Sequence, residues 1–186
     1  MMFWANLIGY QAVWFVTVIG AGRGLWWPAV LATITFAAVQ IRFSSHRRAD
    51  LRLLLLALLV GAVLEGVLAA SGWARYAAPV PALPSGGAPL WILALWAAFA
   101  MTLNHSLGYL RGRAWLAAAF GVIGAPLAYL SAARGWQAVV FEPPIWRGLL
   151  WLAGGWAMAM PALVTLARLW TYAPRPGTGT LRAGTP

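Results

Sequence analysis

Six apolar stretches set off by arginines decide what this chain can become. They run Phe3–Ile19, Leu25–Ile41, Leu53–Ala70, Leu90–Leu110, Trp115–Leu130 and Gly148–Leu169. A helix needs roughly 20 apolar residues to cross a hydrocarbon core about 30 Å thick. Each stretch meets or approaches that length. The sequence therefore predicts an all-α polytopic membrane protein, a six-helix transmembrane bundle over residues 1–171. The remaining segment, 172–186, is rich in Pro, Gly and Thr and reads as a disordered cytoplasmic tail.

Composition closes off the soluble alternatives. The chain is 62% hydrophobic and 9% charged, with 13 Trp in 186 residues. A soluble domain of that size has too little interior to hide so much apolar surface. The formal net charge is +10, and all 13 basic residues are arginine. In a soluble protein such a charge points to nucleic acid. Here the arginines sit at stretch ends, so topology and lipid headgroups explain them, and no nucleic-acid partner is expected. There is no cysteine, which removes disulfides, thiol catalysis and iron–sulfur ligation.

Arginine also orients the chain. On the N-terminal side lie Arg42, Arg47, Arg48, Arg52, Arg111, Arg113, Arg168, Arg175 and Arg182. Arg23, Arg75, Arg134 and Arg147 lie on the other. The positive-inside rule makes the richer side cytoplasmic, so the expectation is a multi-pass protein of the bacterial inner membrane with both termini in the cytoplasm. Tryptophans fit the same boundaries: Trp26, Trp27, Trp73, Trp91, Trp136 and Trp146 at outer ends, Trp4, Trp115 and Trp170 at inner ones. The outer connection Ser71–Pro89 holds four prolines and cannot be regular helix, and the outer connection Ser131–Arg147 contains Glu142-Pro143-Pro144.

Small residues mark the packing faces. Ala57, Gly61, Glu65, Ala69 and Gly72 recur at spacings of three or four in the third helix. Ala117, Gly121, Ala125 and Ala128 do so in the fifth. Such stripes let helices approach closely in lipid.

Two groups of residues could carry chemistry. Glu65, read as the one acidic residue inside a span, lies on a small-residue stripe and so points into the bundle. An intramembrane carboxylate is expensive and often functional. Arg23, Arg75 and Arg134 are its candidate partners; the bland alternative is a carboxyl that ties helices together. The second group is Asn104, His105 and Ser106 near the inner end of the fourth helix. Asn6 and Gln11 of the first helix lie at similar depth. The expectation is that Asn104 and His105 face Asn6 and Gln11, with interhelical hydrogen bonding as the bland reading. Neighbouring residues diverge by about 100° on a helix, so Asn104, His105 and Ser106 do not converge on one ligand without a kink. No metal site and no cofactor are expected, since no third ligand aligns with His105.

These residues also carry a resemblance. The segments Asn6-Leu7-Ile8-Gly9-Tyr10-Gln11, Gly20-Ala21-Gly22-Arg23-Gly24, Leu103-Asn104-His105-Ser106-Leu107 and Gly124-Ala125-Pro126-Leu127-Ala128-Tyr129 resemble a family of small bacterial inner-membrane proteins, domain of unknown function 2878. The resemblance covers nearly the whole chain except the tail. It implies an integral membrane protein with no assigned activity. It also implies an acidic residue in the third helix, often Asp, with Glu65 as a variant, and gene neighbours that modify lipids. Two functions therefore stay open. One is an accessory or lipid-binding component of lipid-linked metabolism, with membrane lipids and a membrane-protein partner. The other is a membrane-embedded enzyme or small-molecule transporter using Glu65 and an inner Asn104/His105 site.

Overall fold

A computed structural model describes residues 2–172 of the chain. It contains six α-helices: α1 (Met2–Gly22), α2 (Trp27–Phe43), α3 (Arg47–Ala70), α4 (Leu90–Ala100), α5 (Ala114–Trp136) and α6 (Trp146–Tyr172). The expected tail lies outside the described residues apart from Tyr172, which closes α6. Helices α1, α3, α5 and α6 are long and apolar enough to cross a membrane. The outside of the bundle agrees with that reading. Leu55, Leu59 and Val63 on α3, Ile123 and Leu127 on α5, and Met158 on α6 are all more than half exposed. So continuous an apolar coat is unfavourable in water and favourable in lipid.

Packing follows the small-residue stripes. Ala57, Gly61 and Glu65 are buried, as are Ala117, Gly121 and Ala125. A Cβ at Gly121 would lie 2.3 Å from the Trp156 carbonyl oxygen, so α5 and α6 touch backbone to backbone there. A Cβ at Gly61 would strike the Trp96 ring at 2.6 Å. Pro126 and Pro161 are accommodated inside continuous helices.

The outer connections build a small cap. Strand β1 (Ala74–Tyr76) pairs antiparallel with β4 (Val139–Phe141), joining the two long outer loops. Strands β2 (Ala82–Leu83) and β3 (Ala88–Pro89) form a second pair. Along β1, Ala74 and Tyr76 point inward and Arg75 outward. Arg75 pairs with Glu142 at the surface. The chain re-enters the bundle before α4: the Ala88 amide lies 3.8 Å from a Cβ built at Gly66, about 6 Å below the end of α3.

Three boundaries differ from the sequence expectation. The fourth apolar stretch is not one helix to Leu110; α4 has 11 residues and gives way to tight turns and a 3₁₀ turn, Gly108–Leu110. Helix α3 starts at Arg47, not Leu53, which brings Asp50 into its first turn. Helix α5 extends to Trp136, six residues past its expected end.

Candidate functional site

Glu65 is fully buried, and three donors surround it. The Tyr76 hydroxyl donates to Oε2 at 2.7 Å and the Trp96 indole to Oε1 at 2.9 Å. The Tyr129 hydroxyl also donates to Oε1. Four elements thus meet at one carboxyl: α3, β1, α4 and α5. Burial first, and then the facing carboxyl, hold the Tyr76 phenol well above its ordinary range, so it remains a donor. The arginine partners expected from sequence are not used. Arg75 bonds Glu142, because strand alternation turns it out to the surface while Tyr76 turns in.

The inner residues fall into two sets, against the expectation of one. Asn6 is buried on α1 and braces the break below α4. Its Nδ2 donates to the Met101 carbonyl at 3.0 Å and to Gln40 Oε1 at 2.9 Å. Its Oδ1 accepts from the Ser106 amide at 3.2 Å and the Ser106 hydroxyl at 2.6 Å. Non-helical backbone is tolerated at membrane depth only where protein satisfies it, and Asn6 does so.

Asn104 and His105 face α3 instead of α1. Asn104 Nδ2 donates to Asp50 Oδ1 at 2.7 Å, and His105 Nε2 lies 3.7 Å from Asp50 Oδ2. The Ser44 hydroxyl donates to the same carboxyl while its oxygen accepts the His46 amide at 2.9 Å. The turn after Ala100 supplies the kink that lets Asn104 and His105 converge. Asp50 is fully buried. Sequence reasoning missed it by placing it in an arginine-rich loop; a carboxylate in a helix first turn was the available signal. Gln11 belongs to neither set: it is exposed on α1 at the rim of a cavity. Among the described residues no three of His, Asp and Glu come close enough to hold a metal.

The Asp50 set makes a direct prediction. Asp50→Leu strands the Ser44 and Asn104 donors, at about 1–3 kcal/mol each. Asp50→Asn retains an acceptor for Asn104. Thermal unfolding in detergent is expected to place the leucine variant well below the asparagine variant. Equal melting of the two would contradict the assigned contacts.

The cavity lies between α1, α4 and α5 and has a volume of about 400 Å³. Tyr10, Trp14, Trp91, Trp96, Phe99, Phe120, Tyr129 and Trp156 give it an aromatic wall. Thr102 and Ser106 add polar atoms at its inner end. No charged side chain lines it among the described residues. Gln11 and Phe120 are exposed lining residues, so the cavity opens on the bundle's side between α1 and α5. Trp96 and Tyr129 both line the cavity and hold Glu65, which is not itself a lining residue. Trp91, expected at the interface, is 1% exposed and lies within the wall.

A family model described as "Protein of unknown function (DUF2878)" matches residues 3–162. The chain belongs to this family. The match spans all three side-chain clusters and every cavity-lining residue of this DUF2878 protein. No curated protein and no solved structure matches it.

Proposed function

We propose that this DUF2878 protein is a multi-pass protein of the bacterial inner membrane that holds a lipid-like molecule between its helices. On this reading it is a binding or accessory component of lipid-linked metabolism. Its partners are membrane lipids and a second membrane protein. Both termini are cytoplasmic by the arginine asymmetry.

The cavity is the observation that carries the proposal. Its volume of about 400 Å³ falls in the range of small-molecule sites, roughly 300–1,000 Å³. Its wall is apolar and aromatic, and its side opening faces the exposed apolar coat of the bundle. A lipid chain can enter from the bilayer without crossing water. The enzyme or transporter alternative draws less support, because neither Glu65 nor His105 lines the cavity and Glu65 has all its partners within the protein.

Whole-lipid profiling of a deletion strain tests the metabolic role. The profile is expected to change on deletion and to be restored by the wild-type chain. Gly124→Phe is expected not to restore it. Gly124 lines the cavity, and a Cβ there meets only the Phe120 ring at 3.8 Å, so the new ring has room to enter. An unchanged profile, or full restoration by Gly124→Phe at normal protein level, would overturn the proposal.

A further inference from the structure

The cavity between α1, α4 and α5 is closed toward the cap and open lower down. At the cap end it is lined by Val18, Trp91, Ala132 and Val139, each no more than 6% exposed. The seam between α1 and α5 is shut at the same level. A Cβ at Gly22 would lie 2.1 Å from the Trp136 carbonyl oxygen, so the two backbones meet there. The Trp136 ring packs edge-to-face against Trp14 and Phe15, with centroids 5.6 Å from each. The exposed lining residues are Gln11 and Phe120. Both lie on the inner side of their helices' midpoints.

That asymmetry distinguishes the two leaflets. The seal runs from Gly22 down to Trp14, the outer half of α1, so lipids of the outer leaflet face a closed seam. Phe120 lies about 9 Å from the inner end of α5 and about 18 Å below Ala132 by helix rise. Half of a hydrocarbon core about 30 Å thick is about 15 Å, so the reach above the mouth matches the tail length of one leaflet. No charged side chain lines that reach among the described residues. A headgroup charge would enter it unpaired, at a high cost, whereas an acyl tail enters freely.

We infer that the cavity takes an amphiphilic lipid from the cytoplasmic leaflet, tail first, with the tail tip toward the β1–β4 cap and the headgroup left at the inner mouth. The inference rests on the lipid-binding reading above and adds the ligand's class, its leaflet and its direction. The aromatic wall packs the tail. Trp136 bars the outer route, and Val139 of β4 closes the far end. Gln11, which belongs to neither inner side-chain cluster, sits at the mouth, where the tail gives way to the polar head.

The test uses the full chain in nanodiscs and two phosphatidylcholines that carry a photoreactive diazirine on one acyl chain. In one the diazirine lies near the ester, in the other near the methyl end. Labelled residues are mapped by peptide mass spectrometry after irradiation. Trp91 and Val139 are each 1% exposed, so bulk lipid does not reach them and label there reports the cavity. The methyl-end probe is expected to label them several-fold more than the ester-end probe. Gly124→Phe, placed between mouth and cap, is expected to abolish that label, and the wild-type pair alone decides the matter if this variant misfolds. Stronger labelling by the ester-end probe, or equal labelling by both, would overturn this inference and leave the lipid-binding reading standing. No label at either residue from either probe, or label undiminished in a folded Gly124→Phe chain, would overturn both.

Discussion

Glu65→Leu is expected to cost this bundle about 3 kcal/mol or more. Leucine approximates the volume of glutamate, so packing is largely kept and the loss is polar. Three buried donors, from Tyr76, Trp96 and Tyr129, lose their acceptor together. Each stranded donor costs about 1–3 kcal/mol. Glu65→Gln should be far milder. Its carbonyl oxygen still accepts from Trp96 and Tyr129, and the Tyr76 hydroxyl can rotate to accept from the new amide. Thermal unfolding in detergent and steady-state level in the membrane measure both variants. A leucine variant that melts with the wild type would show that the carboxyl does not organise the four elements around it.

Asn6→Leu is expected to have the next largest effect, and a local one. The substitution removes the partners of the Met101 carbonyl and the Ser106 amide, two backbone groups buried at the break after α4. It also strands the Ser106 hydroxyl and Gln40. At about 1–3 kcal/mol per stranded group, a loss of about 3 kcal/mol is expected. Hydrogen exchange should rise first over residues 101–107, since the turn backbone there depends on α1. Unchanged exchange at those amides would contradict the bracing role of Asn6.

The helices were legible because apolar length and arginine spacing report the bilayer directly. The burial of Glu65 was legible for a related reason: it falls on the stripe with Ala57 and Gly61, and both are buried. The break after Ala100 was not legible. Apolar content runs unbroken from Leu90 to Met101, past the last helical residue, and the partner of the freed Met101 carbonyl is a side chain 95 residues away, Asn6. The same break turned Asn104 and His105 to Asp50, so a helical projection paired them with the wrong helix. Asp50 was hidden among arginines, where a surface position is the simplest reading; its burial depends on how α3 packs against the turns after α4. Trp91 looked like an interfacial anchor because it begins a helix. The re-entry of the chain at Ala88 places that helix start inside the bundle.

The central claim is that the space between α1, α4 and α5 is a lipid site. Native mass spectrometry of the chain, released from minimal detergent, tests it most directly. The wild type is expected to carry one lipid-sized adduct. Gly124→Phe, which fills the cavity, should lose that adduct, while Gly154→Phe, on an exposed face of α6, should keep it. A wild-type chain without the adduct, or an adduct equally abundant in all three proteins, would contradict the account.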